Sequence, residues 1–145
     1  MNGPDDVAAR REDSRQRIER LVAEGKMPRE AAQTAERLWR TRLRRGIALP
    51  SGETAVVTLS DLYHLIVDDR IWRKPERIER ILSGVFEIRT ARGGRRIALS
   101  RWDEAGQTRV DCAILEPAGR VWTMHLVDER KLRRELGRGD VLWRR

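Results

Sequence analysis

The residues best suited to chemistry lie near the end of the chain, in the run RVWTMHL at positions 120–126. Side chains on a β-strand alternate between two faces, so the apolar residues of this run would point one way and Thr123 and His125 the other. An imidazole exchanges a proton near neutral pH, and a hydroxyl donates a hydrogen bond to a phosphate oxygen. The pair predicts a site for acid–base chemistry on a phosphate ester.

Three earlier segments with strand-like alternation place charged residues beside this pair. If their apolar residues face the core, the open face of an antiparallel sheet collects polar and aromatic side chains, namely Glu87, Arg89, Arg96, Ser100, Trp102, Arg109 and Asp111. Arginine binds phosphate at two points, and an exposed indole stacks on a base. The pattern predicts substrate binding by Arg89, Arg96, Arg109 and Trp102, with Glu87 as a second candidate base. The alternative is an ordinary solvated face, on which charged residues are expected in any case.

The only other histidine, His64, lies in a predicted helix from Ser60 to Val67. Asp61 and Asp68 are three and four residues away, so they share its flank of the helix. A neighbouring carboxylate favours the protonated imidazole, which suits phosphate binding or proton donation. The alternative is a surface histidine with a local ion pair.

Composition indicates an acidic polymer as partner. Of 145 residues, 31 are Lys or Arg and 23 are Asp or Glu, which leaves a net charge of +8. The single cysteine, Cys112, excludes an internal disulfide and a cysteine-based zinc site. Two histidines and scattered acids lack metal-ligand spacing, so we expect metal independence and no cofactor. No segment approaches the ~20 apolar residues of a membrane span. No apolar leader follows Met1, so a cytoplasmic protein is expected.

Periodicity predicts an α+β fold. Helical stripes interrupted by Gly25 and Gly46 indicate an N-terminal hairpin over residues 1–48, with a face available for docking on a protein partner. Residues 49–145 form the second predicted unit, in which short helices from Ser60 and Pro75 precede four alternating segments. Those segments lie at about 85–91, 95–102, 107–116 and 120–127, with glycine-containing links that predict an antiparallel meander. A helix over 129–136 follows, and residues 141–143 form either an edge strand or a docked end.

This order of elements resembles the barnase–EndoU–colicin–RelE-like ribonuclease superfamily over residues 55–136. The shared features are a helix carrying His64 followed by Arg70, a second helix, a four-stranded meander, and a last strand with Thr123-x-His125. The resemblance implies a metal-independent, RNA-cleaving hydrolase of the phage-associated or toxin type. It also implies site residues His64, Arg70, Arg89, Thr123 and His125. The chain departs from the family pattern in having no tyrosine on the sheet.

The chemistry is consistent with that resemblance. RNA is cut without a metal when a base removes the 2′-OH proton, the oxygen attacks phosphorus, and an acid protonates the leaving 5′-oxygen. His125 or Glu87 is the expected base, His64 the acid, and Thr123 a hydrogen-bond donor. Two alternatives remain: a non-catalytic module that binds nucleic acid or a phage or mobile-element protein, and a protein–protein adaptor whose charge is incidental.

Overall fold

The computed structural model describes residues 4–125 and 139–145, and for residues 4–13, 69 and 125 it describes the backbone alone. The helices in this part of the chain are α1 (Pro4–Ala23), α2 (Arg29–Leu38), α3 (Leu59–Ile66), α4 (Asp69–Trp72) and α5 (Arg77–Ser83). A π-helical turn, Trp39–Leu43, extends α2, and a short 3-10 turn spans Arg92–Gly94. Among the described residues, no helix is long and apolar enough to cross a bilayer.

The strands form two antiparallel sheets. They are β1 (Ile47–Ala48), β2 (Thr54–Ala55), β3 (Val85–Thr90), β4 (Arg96–Glu104), β5 (Gln107–Leu115), β6 (Val121–His125) and β7 (Val141–Arg144). β1 pairs with β2, and the other five strands form one sheet in the order β6-β5-β4-β3-β7. The α+β class is therefore confirmed. The main sheet has five strands rather than the predicted four, because β7 pairs with β3. The helix predicted over 129–136 lies outside the described residues.

The helical hairpin packs against the rest of the chain. Ile18, Ala35 and Leu43 belong to the same buried cluster as Leu115 and Met124 of the sheet. The hydrophobic contact is therefore continuous from α1 to β6. A boundary between residues 48 and 49 stays a prediction.

The helices cover the face of β4 and β5 that the sequence predicted to be open. Ala98, Trp102 and Ala113 are buried in the main cluster with the helices. Leu99 and Cys112, predicted to face the helices, instead form a second buried cluster on the opposite side of the sheet. Both faces carry apolar residues, so alternation alone does not choose between them. The small side chains of Ala98 and Ala113, both 0% exposed, let the helices approach the sheet backbone closely.

Candidate active site between α3 and β6

A cleft of about 290 Å³ lies where α3 meets the edge strand β6. Its polar lining consists of Arg17 from α1, His64 and Asp68 from α3 and the residues after it, and Thr123 from β6. Apolar side chains, among them Met124, complete the walls. His64 and Thr123, two of the predicted site residues, thus line one cavity although they are far apart in sequence.

Helix α3 holds His64 at the cleft through its N-terminal cap and its buried face. The Thr58 hydroxyl accepts a hydrogen bond from the Asp61 amide at 3.1 Å, and the Asp61 carboxylate accepts one from the Thr58 amide at 3.2 Å. This reciprocal cap begins the helix at Thr58, not at the predicted Ser60. Leu62 and Leu65 face the core, which leaves half-buried His64 on the flank. Its Nδ1 lies 3.5 Å from the Ser14 hydroxyl of α1.

A buried ion pair connects α3 to the start of β6. Arg120 donates from Nε to both oxygens of Asp61, at 3.0 and 2.8 Å, and from Nη2 to Oδ1 at 2.7 Å. Asp61 is 0% exposed. Hydrogen bonding to this carboxylate raises the pKa of Arg120. The ion pair therefore joins α3 and β6 close to the cleft, because Asp61 lies about one helical turn before His64 and Arg120 lies three residues before Thr123. The expectation that Asp61 lies beside His64 on the open helix flank is wrong, because its carboxylate points to Arg120.

Asp68 and Arg70 form a second ion pair beside the cleft. Arg70 donates from Nε at 3.1 Å and from Nη2 at 2.9 Å to the two oxygens of Asp68. These hydrogen bonds hold the pKa of Asp68 below its ordinary value. Arg70 does not line the cleft itself but contacts it through Asp68, and part of its hydrogen-bonding capacity is directed to that carboxylate. Its role in the site stays a prediction.

The sheet register places the remaining strand candidates at a distance. Thr123 pairs with Ile114 and His125 with Cys112, while Glu87 and Arg89 of β3 pair with residues of β4 on the same face. Two strands separate β3 from β6, so about 14 Å lies between the strand axes at ~4.8 Å per strand. Glu87 and Arg89 therefore do not reach the cleft. The side chain of His125 lies outside the described part of the chain, so its role as base stays a prediction.

Glu87 is unsuited to act as a base. It is 5% exposed and accepts hydrogen bonds from Arg89 Nε at 2.7 Å and Arg144 Nε at 2.6 Å. Burial by itself would raise the pKa of Glu87, but the two arginines outweigh it and the pKa is lowered. Both oxygens are already hydrogen-bonded, so this carboxylate is a structural anion.

The other predicted substrate-binding residues lie on the helix-covered side. Trp102 is 7% exposed and its indole N–H donates to Asp111 at 2.8 Å, so the prediction that it stacks a base from an open face is wrong. Arg96 is paired with Glu53 at 2.5 Å. Arg109 lies 3.8 Å from a Glu104 oxygen at the far end of the sheet. None of the three lines the cleft.

Sequence reasoning missed two cations. Arg17 enters the cleft from a charged helix whose pattern distinguishes no single arginine, so nothing in the sequence singled it out. Arg120 lies just before the key strand, but its partner Asp61 is remote in sequence. No group of three or more His, Cys, Asp or Glu side chains in the described residues is arranged to hold a metal ion.

Comparisons with protein-family models, with curated proteins and with solved structures found no match to this chain.

Proposed function

We propose that the cleft between α3 and β6 binds an RNA phosphodiester and that the protein cleaves RNA without a metal ion. The observation that supports this most is the meeting of His64, Thr123 and Arg17 in one cavity. These side chains supply a proton donor, a neutral hydrogen-bond donor and a fixed cation. A phosphodiester that is being attacked needs all three.

In the proposed reaction the 2′-oxygen of the substrate attacks phosphorus and the bond from phosphorus to the 5′-oxygen breaks. The products are a 2′,3′-cyclic phosphate and a 5′-hydroxyl. His64 gives its proton to the leaving 5′-oxygen. Thr123 donates a hydrogen bond to a non-bridging oxygen, and Arg17 offsets the negative charge that accumulates there. His125, two residues after Thr123 on β6, takes the 2′-OH proton.

The main alternative is a module that binds RNA without cutting it. The ion pairs of two strand arginines support this alternative. Arg89 is hydrogen-bonded to Glu87 at 2.7 Å, and Arg96 is hydrogen-bonded to Glu53 at 2.5 Å. Fewer uncommitted guanidinium groups then remain to stabilise added charge in a transition state.

The test is incubation of the purified protein with end-labelled total RNA in excess EDTA. We expect fragments that end in a 2′,3′-cyclic phosphate, and a fall of about 10²–10⁴-fold in rate for His64→Ala, the size of one general acid. Arg42→Gln is the matched control, since Arg42 is 64% exposed and pairs with Glu79 away from the cleft. Intact RNA with a mobility shift would favour the binding module instead. Cleavage by His64→Ala at the parent rate would refute the proposed mechanism.

A further inference from the structure

The outer edge of the main sheet carries exposed apolar residues. β7 pairs with β3 on one side, and no strand among residues 4–125 or 139–145 pairs with its other side. Val141 is 43% exposed and Leu142 is 54% exposed. In the described chain, the only other exposed large hydrophobic residue is Val56, at 39%. Unpaired backbone groups and exposed apolar side chains on one edge strand are the features that accept an added strand.

This edge is held in place by contacts on its inner side. Trp143 is half-buried against the main cluster. The Asp140 amide donates to the Thr90 hydroxyl at 2.9 Å, and the Arg145 amide donates to the Phe86 carbonyl at 2.8 Å. Because the backbone of β7 is already extended and anchored, β7 itself would lose little conformational entropy when a strand docks on it.

The charge around the edge indicates the chemistry of the partner. Arg144 is 58% exposed although it pairs with Glu87, and Arg145 is exposed at the end of the strand. Among residues 139–145, Asp140 is the one exposed acid, and the whole chain carries a net charge of +8. An acidic segment is therefore attracted, whereas a second copy of this chain is repelled.

The shape of the edge also opposes self-association. The register of β7 on β3 shifts between Ile88 and Arg89, where Trp143 pairs with Ile88 and Val141 with Arg89. Leu142 is thereby the extra residue of a β-bulge. The added twist opposes the flat pairing of two identical rigid edges, whereas a short flexible segment can follow the twist of the strand. We propose that β7 binds an extended, acidic segment of a protein partner by β-strand addition, with Val141 and Leu142 as its apolar contacts. This proposal does not depend on RNA cleavage.

The test uses a short fluorescein-labelled peptide of alternating Val and Glu, measured by fluorescence anisotropy against the full chain. We expect binding to weaken about tenfold in Leu142→Lys, because a charge on the edge blocks strand addition. This variant is informative because it adds positive charge, so binding by net charge alone would instead become tighter. Hydrogen exchange should slow at the amides of β7 when the peptide is bound.

A second probe is independent of how the variant folds. The same peptide with all of its backbone nitrogens methylated keeps its charge but has no N–H donor for a strand ladder at either edge, so it should not bind the wild-type chain. Equal binding of the methylated peptide, or tighter binding to Leu142→Lys, would overturn the proposal. A dimeric mass in analytical ultracentrifugation that Leu142→Lys reduces to a monomer would also overturn it, since the edge would then bind a second copy.

Discussion

Removing Arg120 should destabilise the fold more than removing its partner Asp61. Asp61 is 0% exposed, whereas the Arg120 side chain is 34% exposed. In Arg120→Gln the buried carboxylate of Asp61 loses its three contacts with the guanidinium and keeps the hydrogen bond from the Thr58 amide. Breaking a buried pair in this way costs about 3 kcal/mol. In Asp61→Asn the guanidinium left behind reaches solvent, and the new amide oxygen still accepts a hydrogen bond, so we expect about 1–2 kcal/mol.

Urea unfolding followed by circular dichroism measures both free energies. For a chain of this size, a loss of 3 kcal/mol corresponds to roughly a 10 °C fall in Tm. Arg42→Gln provides the matched control, because Arg42 pairs with Glu79 at 3.2 Å on the surface and an exposed pair contributes about 0–1 kcal/mol. The unequal burial of the two partners does not decide their contributions if Arg120→Gln lowers the free energy of unfolding no more than Arg42→Gln does, or less than Asp61→Asn does.

The same ion pair connects the two elements that carry His64 and Thr123. If the proposed RNA cleavage takes place in this cleft, Arg120→Gln should lower its rate at a temperature where the variant remains fully folded, because α3 is no longer held against β6. An unchanged rate would show that Arg120 acts on global stability alone.

Three further outcomes follow from individual side chains. Burial raises the pKa of Asp111, so the wild type loses stability as pH rises from about 4 through the folded-state pKa. Asp111→Asn keeps an acceptor for the Trp102 indole, and should be more stable than wild type at pH 7 but not at pH 3; parallel pH–Tm curves would contradict this. The lowered pKa of Glu87 has the opposite sign, since its contribution is present above about pH 4 and lost as pH falls through the folded-state pKa. Glu87→Gln should therefore be less stable than wild type at neutral pH, and equally stable at a pH low enough to protonate Glu87 in both the folded and the unfolded wild type. A loss of stability of equal size at neutral and at low pH would exclude the ion-pair explanation. Finally, Arg17→Gln should reduce the slope of log affinity for single-stranded RNA against log salt by about 0.7, the share of one phosphate contact; an unchanged slope would place the phosphate elsewhere.

Local patterns were sufficient to predict the element types. The helix predicted from Pro75 is observed as α5, which begins at Arg77 and buries Ile78, Ile81 and Leu82. Alternation and the glycine-containing links predicted strands close to the observed bounds of β3 to β6. Such predictions succeed because helix and strand periods, together with turn residues, act over a few neighbouring positions.

The faces of the sheet could not be predicted in the same way. β4 carries Ala98 and Trp102 on one face and Ile97 and Leu99 on the other, so both phases look like a core face. The helices pack on the first face, where small alanines allow close packing and the Trp102 indole donates a hydrogen bond to one oxygen of buried Asp111. That choice depends on helix-to-sheet packing, which is not encoded in the period of any single strand.

By itself, then, the sequence determined an α+β chain with excess positive charge, a helix bearing His64 and a strand bearing Thr123. Only the tertiary structure decided that these two residues line one cleft with Arg17 and that Trp102 and Glu87 are buried away from it. The physical reason is the distance along the sequence over which the responsible interactions act. Periodicity and capping act within one element, whereas the cleft depends on contacts such as Asp61 with Arg120, whose partners are brought together only when the whole core packs.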